Sequence, residues 1–305
     1  MNRLRDYLSL TKPGIIFGNL VSVSGGLFLG SQGHPDVLVV LATLLGVAFA
    51  IGGGCALNNL IDKDIDALML RTQKRPLPNG RVSDIGALLL GLVLSVSGLF
   101  LLWQYANPLA SLITLFGLAV YVLLYSLWLK RSIHGTWVGS LSGAVPPLAG
   151  YCAASGQLDA AGLILFASFA LWQLPHAYAI AVLHLNDYAR ASIPVLPLVR
   201  GVSRIKRDMP LYVAAFTLCA ILLSFARYTG WSYLAVTVLL GAAWMRSAWR
   251  ARNGDDRVWA RQSFAWSIAM VMALSLMMSV DYLHPLHDSN APSSGLMIAF
   301  LSLVR

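Results

Sequence analysis

The amino-acid sequence predicts an all-α membrane protein, a polytopic bundle of about nine transmembrane helices. Of its 305 residues, 57% are hydrophobic and only 11% are charged, whereas about a quarter of the residues in a soluble domain are charged. Apolar runs of roughly 17–25 residues, long enough for a helix to cross the hydrocarbon core, recur along the chain. A chain of this composition cannot cover a water-facing surface in the usual way.

The apolar runs define nine predicted spans within a single domain, 1–283, which is followed by a loose tail with a short apolar end, 284–305. No small-residue cleavage site follows the first run, so we interpret that run as a retained helix and not as a signal peptide. The predicted spans are 14–31, 37–57, 84–103, 108–128, 137–154, 161–180, 210–226, 231–245 and 263–283.

The basic residues predict the orientation of the bundle. With nine spans, 20 of the 22 Lys and Arg residues fall on one side, and only Arg227 and Arg305 fall on the other. Because short cytoplasmic loops carry an excess of Lys and Arg, this distribution places the N-terminus in the cytoplasm. The net charge of +9 therefore reflects topology and lipid headgroups, and it does not indicate a nucleic-acid partner.

The three cysteines argue against a disulfide framework and against a zinc site. Cys55, Cys152 and Cys219 all lie inside apolar runs, and none of them belongs to a C-x-x-C pair. An odd and scattered set of this kind is typical of small buried residues in helices.

The connection after the second span, CALNNLIDKDIDALMLRTQKRPLPNG, carries the densest group of acids. Asn58, Asp62 and Asp66 stand at positions i, i+4 and i+8, so they share one face of a helix, while Asp64 points away from that face. Two carboxylates and an amide form an oxygen-rich patch, which Mg²⁺ favours when water and substrate phosphate supply its other ligands. The spacing therefore predicts a Mg²⁺ site held by Asp62 and Asp66.

Basic residues follow directly after these acids and predict a diphosphate site. Arg71, Lys74 and Arg75 are suitable donors to phosphate oxygens, although the topology rule alone would also place Lys and Arg here. Lys12, which opens the first span, and Lys130, which ends the fourth, lie on the same predicted side. We expect these two lysines to close the site from other helices.

The connection after the sixth span, WQLPHAYAIAVLHLNDYARASIPVLPLVRG, contains the second group of polar residues. Pro175 is expected to kink or end the sixth span, and Asp187 is the one further carboxylate that could face the first cluster. His176, Tyr178 and His184 lie near the membrane boundary. Either histidine could be a haem-iron ligand, a phosphate donor, a proton carrier or a plain interfacial residue.

At these residues the sequence resembles a known family. The run Asn58-x3-Asp62-x3-Asp66 with RTQKRPLPNG resembles the first signature of the UbiA-type intramembrane prenyltransferases. Within that superfamily, four further stretches resemble the protohaem IX farnesyltransferase branch, and the resemblance extends from Lys12 to about Tyr282. These stretches are TKPGIIFGN at 11–19, SLSGAVPPLAGYC at 140–152, LWQLPHAYAIA at 171–181 and DYARASIPVLPLVRG at 187–201.

The resemblance implies a fold, a reaction and a location. It implies helices around a lipid-accessible central cavity, in a bacterial inner membrane, with the site facing the cytoplasm. Haem B, farnesyl diphosphate and water would give haem O and diphosphate, with Mg²⁺ as cofactor and with a haem A synthase or a terminal oxidase as candidate partner proteins. The implied site comprises catalytic Asn58, Asp62, Asp66 and Asp187, diphosphate-binding Lys12, Arg71, Lys74, Arg75 and Lys130, and haem-contacting His176, Tyr178 and His184.

One departure from the superfamily pattern leaves the number of metal ions open. Many members outside the haem branch carry a second Asp-x3-Asp pair, but here Leu183 stands four residues before Asp187. A complete second pair would have favoured the alternative of a prenyltransferase acting on a quinone or chlorophyll precursor. A membrane transporter is the other alternative, and it would be expected to carry ionisable residues near mid-bilayer, where these spans have almost none.

Overall fold

The computed structural model describes residues 3–250 and 253–283, and the predicted tail 284–305 lies outside these residues. In the described part, every named element is helical. The helices are α1 (Arg3–Leu10), α2 (Pro13–Ser31), α3 (Val37–Ile61), α4 (Lys63–Leu68), α5 (Asp84–Tyr105), α6 (Pro108–Ala119), α7 (Gly135–Gly143), α8 (Val145–Ser155), α9 (Ala160–Leu183), α10 (Leu185–Arg190), α11 (Leu196–Arg200), α12 (Val202–Ala220), α13 (Leu222–Phe225), α14 (Trp231–Arg250) and α15 (Asp256–Val280). A π-helical segment, Val120–Trp128, and a 3₁₀ turn, Leu129–Arg131, extend α6.

The all-α membrane fold predicted from composition is confirmed. Within the described residues, seven helical segments are long and apolar enough to cross a membrane. They comprise α2, α3, α5, α6 with its extension, α9, α12 with α13, and α15. The two other predicted spans correspond to the consecutive helices α7 and α8 and to α14, which carries Arg246 and Arg250 near its end. The count of nine spans and the cytoplasmic N-terminus stay predictions.

Prolines affect two of the predicted spans in different ways. The predicted span 137–154 is two helices that meet at Ala144, because Pro146 and Pro147 occupy the first turn of α8, where a proline needs no N–H partner. Of the two outcomes expected at Pro175, a kink or an end of the sixth span, the end does not occur, since α9 continues through this residue to Leu183. A proline inside a helix removes one backbone hydrogen bond, and here that loss does not end the helix.

Five of the long helices have a capping side chain at their N-terminus. Each of these side chains accepts a backbone N–H from the first turn of its helix, which satisfies a donor that has no partner inside the helix. The capping residues are Asp36, Ser83, Asn107, Asp159 and Asp255, for α3, α5, α6, α9 and α15 respectively.

Glycines allow the central helices to approach each other closely, as small residues do between membrane helices. A Cβ atom on Gly46 of α3 would lie 2.9 Å from the carbonyl oxygen of Gly98 on α5. A Cβ atom on Gly30 of α2 would lie 2.5 Å from the carbonyl oxygen of Tyr151 on α8. Both distances are too short for a real side chain, so these two helix pairs depend on glycine.

The short helix α1 packs across the end of the bundle at which α3 ends. Leu10 is completely buried there beside Ala56 and Leu77. Asn59 donates a hydrogen bond of 2.9 Å from Nδ2 to the carbonyl oxygen of Leu10. This anchorage holds Lys12, the second of the two residues between α1 and α2, against the last turn of α3.

Candidate active site

Two acids and one amide from the connection after the second predicted span, here called the first loop, lie on one buried face at the junction of α3 and α4. Asn58, Asp62 and Asp66 are between 2% and 4% exposed, whereas Asp64 is exposed. The backbone hydrogen bonds of a helix continue through the junction. The N–H of Asp62 donates to the carbonyl oxygen of Asn58 at 2.9 Å, and the N–H of Asp66 donates to the carbonyl oxygen of Asp62 at 2.7 Å. This continuity keeps the three side chains on the same face.

Each of the two buried acids is paired with one base. Lys130 Nζ, at the end of the α6 extension, donates to Asp62 Oδ2. Arg75 Nη1, from the loop that follows α4, donates to Asp66 Oδ2 at 2.6 Å. A buried carboxylate is costly unless an opposite charge accompanies it, so these pairs account for the burial of both acids.

Lys12 joins this cluster through an amide. Its Nζ donates to Asn58 Oδ1 at 2.7 Å, and Asn58 Nδ2 in turn donates to Asp62 Oδ2 at 2.9 Å. Lys12 has φ 52°, the left-handed conformation, which is uncommon for a residue other than glycine. Burial lowers the pKa of Lys12, and the nearby Asp62 carboxylate opposes this effect.

The π-helical segment, which forms the last part of the fourth predicted span, contributes a serine to the cluster. Asn58 Nδ2 donates to Ser126 Oγ at 3.0 Å, and Ser126 Oγ donates to the carbonyl oxygen of Tyr121 at 2.8 Å. π-Helical segments are rare in proteins, and those that occur are often found at functional sites. Here the wider turn presents Ser126 and, four residues later, Lys130 to the end of α3.

One carboxylate oxygen in the cluster has no partner. Asp62 Oδ1 is buried and makes no hydrogen bond with any described residue, a state that costs free energy unless a ligand satisfies it. Within the described residues, no three His, Cys, Asp or Glu side chains are placed to hold a metal by themselves. The donor set fits Mg²⁺, which commonly takes one or two carboxylates and completes its shell with water and phosphate.

The two remaining predicted bases lie at the edge of the cluster. Arg71 and Lys74 are both exposed. Arg71 lies beside Tyr188 of α10, whose pKa is raised by burial against the opposing influence of Arg71. The Lys74 side chain makes no ion pair within residues 3–250 and 253–283, and only its carbonyl oxygen accepts a hydrogen bond, from Arg81.

Asp187 links the two loops instead of joining the acid cluster. Its Oδ1 accepts the backbone N–H of Leu70 at 2.9 Å, across 117 residues of sequence. Asp187 also borders a second cavity of about 390 Å³, together with His184, Asp256 and Arg257. The structure therefore gives this carboxylate a role in holding the first loop against the second.

His176 faces another helix. Its ring lies 4.6 Å from the ring of Trp172 and 5.1 Å from that of Phe264, measured between centroids. Its Nδ1 lies 2.8 Å from Ser267 Oγ on α15. The ring contact with Phe264 and the hydrogen bond with Ser267 tie α9 to α15, whereas Trp172 lies on α9 itself. His176 does not line the main cavity, which is described below.

The other two residues predicted to contact haem also lie away from the main cavity. Tyr178 is completely buried, and its ring packs 5.6 Å from the ring of Tyr212. His184 lies at the end of α9 and borders the second cavity. Burial, and then the charge of Arg71, lower the pKa of His184 from its ordinary 6.5, so its imidazole is neutral at pH 7.

What we call the main cavity has a volume of about 370 Å³ and lies between α2, α3, α6 with its extension, α7, the first turn of α8 and α9. Lys130 and Tyr188 border it, and further lining residues such as Val47, Val145 and Ile180 are apolar. An apolar cavity that is bordered by one base of the cluster, Lys130, suits a ligand with an anionic head and an apolar chain.

Sequence reasoning missed Tyr121, Tyr125 and Ser126. The two tyrosines line the main cavity, and the serine holds Asn58. In the sequence they form part of an ordinary apolar span, and no local pattern marks the π-helical turn that aligns them.

Fold and site together define a helical membrane protein in which a buried cluster of acids and bases lies beside an apolar cavity between the helices. The comparisons with known proteins agree with this class. The chain belongs to the UbiA prenyltransferase family, whose profile matches residues 19–269.

Curated relatives and solved structures resemble the chain over most of its length. It is 50% identical to protoheme IX farnesyltransferase 2 of Chromobacterium violaceum, over 94% of this chain and 96% of that protein. It is 49% identical to protoheme IX farnesyltransferase 2 of Pseudomonas fluorescens, over 92% and 96%. A digeranylgeranylglyceryl phosphate synthase structure matches with a TM-score of 0.75 and 19% identity, over 92% of this chain and 99% of that one. A UbiA homologue from Archaeoglobus fulgidus bound to GPP and Mg²⁺ matches with a TM-score of 0.66 and 16% identity, over 90% and 99%. These structural matches support the fold.

Proposed function

We propose that this chain transfers the farnesyl group of farnesyl diphosphate to the 2-vinyl group of haem B. In the overall reaction, haem B, farnesyl diphosphate and water give haem O and diphosphate. The vinyl group becomes a hydroxyethylfarnesyl group, with the hydroxyl oxygen supplied by water. The observation that carries this proposal is the identity of about half of all aligned residues to relatives named protoheme IX farnesyltransferase, over nearly the whole chain.

The geometry of the cluster supports the diphosphate part of the proposal. Lys12, Lys130 and Arg75 are held beside the acids by hydrogen bonds, where they would share the charge of the diphosphate oxygens. Arg71, at the edge, would extend this set, and the exposed Lys74 would meet the diphosphate only from solvent. Bases that are already in place stabilise charge as it develops on the leaving group without reorganising.

A Mg²⁺ ion fits the same cluster. Asp62, through its unpaired Oδ1, and Asp66 would hold the ion, and Asn58 would orient Asp62 from the preceding turn. When bound, Mg²⁺ would supply charge neutralisation of the departing diphosphate. The proposal agrees with the structure of an Archaeoglobus fulgidus homologue bound to GPP and Mg²⁺.

The proposed location is a bacterial inner membrane with the site on the cytoplasmic side. The bacterial relatives and the bias of Lys and Arg towards the loops on the site side support this orientation. Haem B and farnesyl diphosphate are the proposed substrates, and both are apolar molecules with charged groups at one edge. Direct contact with a haem A synthase or a terminal oxidase stays a prediction.

The proposal is tested with membranes that contain the wild type, Asp62→Ala or the matched control Asp64→Ala. Each sample is incubated with haem B, farnesyl diphosphate and Mg²⁺, and the extracted haems are analysed by mass spectrometry. We expect haem O from the wild type and from Asp64→Ala, whose carboxylate is exposed, and none from Asp62→Ala. Absence of haem O from a folded wild type would overturn the haem assignment, and aromatic quinone precursors would then be assayed as acceptors.

A further inference from the structure

One amide side chain of the main cavity is held by a neighbouring helix. Gln173 lies on α9 and lines the cavity. Its Nε2 donates to the carbonyl oxygen of Gly143, the last residue of α7, at 3.4 Å. A Cβ atom on Gly143 would lie 2.2 Å from this Nε2, so the glycine leaves the space that the amide occupies. The contact fixes the side chain of Gln173 between two helices.

The same contact determines which end of the amide is free. A carbonyl oxygen accepts hydrogen bonds and cannot donate one, so the NH₂ end of Gln173 must face Gly143. The other end, Oε1, makes no hydrogen bond with any residue of 3–250 or 253–283. Gln173 therefore offers the cavity a hydrogen-bond acceptor in a fixed place.

The other neutral polar side chains of the cavity are bound mainly to their own helices. Thr114, Ser140 and Ser142 each donate to a carbonyl oxygen three or four residues earlier, at distances of 2.7 to 2.8 Å. The amide of Asn19 does the same at 2.8 Å. Among the cavity-lining amides of the described residues, Gln173 is thus the one that a second helix holds.

Gln173 lies about one helical turn deeper in the cavity than the acid and base cluster. A Cβ atom on Gly139 of α7 would lie 3.3 Å from the ring of Tyr125, and the serine that follows Tyr125 holds Asn58 of the cluster. Gly143, which contacts Gln173, is four residues further along α7, a rise of about 6 Å. A substrate with its diphosphate at the cluster would bring its first carbons to this depth.

The proposed reaction consumes one water molecule inside this apolar cavity. The carbon that receives the water is attached to the porphyrin and is separated from C1 of the farnesyl group by the terminal vinyl carbon. A cation at that carbon has two fates. Water adds to it and gives the hydroxyl group of haem O, or the neighbouring carbon loses a proton and gives an alkene. Formation of haem O is favoured when a water molecule is already in place as the cation forms.

We infer that Gln173 is a positioning residue whose Oε1 holds the water molecule that becomes the hydroxyl group of haem O. The inference rests on the proposed function. A water that donates one hydrogen to Oε1 keeps its lone pairs for the carbon. Ser140 and Ser142, on the helix of Gly143, have lone pairs for its other hydrogen, and a water stays in an apolar cavity only where it has about two such partners. A neutral amide suits this role because, unlike a carboxylate, it does not take the proton whose loss gives the alkene.

The step balances as follows. The C1–O bond of farnesyl diphosphate breaks, and its electron pair leaves with the diphosphate. The electron pair of the vinyl group forms a bond between the terminal vinyl carbon and C1, which leaves the positive charge on the carbon attached to the porphyrin. The water oxygen gives an electron pair to that carbon and forms the C–O bond. One O–H bond of the water then breaks, and its proton is taken up by the departing diphosphate.

The first test measures how the cation divides between its two fates. Gln173→Met keeps the length of the side chain and removes both polar atoms. The extracted haems are analysed by mass spectrometry, which separates haem O from the alkene that lacks one water. We expect the ratio of alkene to haem O to rise by about 10-fold in Gln173→Met, as for one lost hydrogen bond that favours one of two competing steps. Because the ratio does not depend on the amount of folded protein, a merely structural defect would leave it unchanged.

Two further variants of the same cavity are the matched controls. Thr114→Val removes a hydroxyl group at constant shape, and Asn19→Leu removes the other amide that lines the cavity. Both variants are expected to keep the wild-type ratio of alkene to haem O. A rise in Thr114→Val as large as that in Gln173→Met would attribute the effect to the polarity of the cavity, and a rise in Asn19→Leu alone would assign the water to Asn19. Either result would overturn the inference.

The second test does not depend on the acceptor. Structures of the wild type and of Gln173→Met are determined with Mg²⁺ and the unreactive thiol-bridged analogue of farnesyl diphosphate, at a resolution that shows ordered water. We expect a water molecule within hydrogen-bonding distance of Gln173 Oε1 in the wild type and none at that place in the variant. A wild-type structure without this water would contradict the inference.

The two tests separate the inference from the proposed function. If the wild type makes haem O and the ratio is unchanged in Gln173→Met, the inference is wrong and the proposed function stands. If a folded wild type makes neither haem O nor the alkene but holds the water at Gln173, the water site is supported and haem is rejected as the acceptor.

Discussion

The loop after α3 and the loop after α9 occupy comparable places in the chain but differ in chemistry. In the first, three polar side chains share one buried face, and each acid meets a base. In the second, Leu183 stands where a partner acid would be, and Asp187 holds the backbone of Leu70. The first loop thus carries the charges for a diphosphate, and the second determines where the first loop lies.

The largest expected difference between the two loops comes from removing the charge of one acid in each. Asp62→Asn should lower kcat for haem O formation by about 10³-fold, because the cluster loses the carboxylate proposed to hold Mg²⁺. Asp187→Asn should lower it by less than about twofold, since an amide oxygen still accepts the N–H of Leu70. If kcat, measured in the same membranes, fell by a comparable factor in both variants, Asp187 would be a second metal ligand, and the two loops would not differ in their roles.

The next largest effect concerns the bases of the first loop and its neighbours. Lys130→Met should lower kcat/KM for farnesyl diphosphate by about 10²-fold, because the diphosphate loses a buried positive charge. Arg131→Met, which removes the exposed base beside it, is the matched control and should change kcat/KM by less than about twofold. Thermal unfolding in detergent is measured for both, and Lys130→Arg, which keeps the charge, should recover most of the activity if the loss is electrostatic.

A smaller effect is expected from pH, through Lys12. Burial lowers the pKa of Lys12 below its ordinary 10.5, so the lysine loses its charge, and its attraction for diphosphate, as the pH rises through that lowered pKa. kcat/KM for farnesyl diphosphate should therefore fall on the alkaline side at a pH below 10.5, whereas it should be fully retained at lower pH. Lys12→Arg should move this alkaline limb upward, because guanidinium stays protonated. If the alkaline limb of the pH profile stayed at the same pH in Lys12→Arg, the titrating group would be a residue other than Lys12.

The smallest expected effect tests the link between the loops. Asp187→Ala removes the acceptor for the N–H of Leu70 and should lower kcat by about fivefold, in line with one lost hydrogen bond. Amide hydrogen exchange at Leu70 and in the loop that follows should become faster in Asp187→Ala. Asp187→Asn is the control and should exchange like the wild type, and equal exchange in all three proteins would contradict the linking role.

Local patterns predicted the parts of this protein that are built from neighbouring residues. The apolar runs predicted the membrane fold, because a helix of sufficient length satisfies its own backbone in lipid. The four-residue spacing of Asn58, Asp62 and Asp66 predicted one face, because helical hydrogen bonds continue through Asp62. The second loop was harder to interpret. His176 contacts α15 and His184 borders the second cavity, and the spacing of the two histidines in the sequence indicates neither position.

The sequence by itself determined the membrane fold, the acidic face and the family, since these depend on hydrophobicity and on residues within a few turns of each other. Only the tertiary structure decided which base meets which acid and which rings line the cavity. Lys130 reaches Asp62 across 68 residues, and Lys12 reaches Asn58 across 46. Such contacts depend on how whole helices pack, and packing is decided by glycines and a π-helical turn that local sequence periodicity does not show.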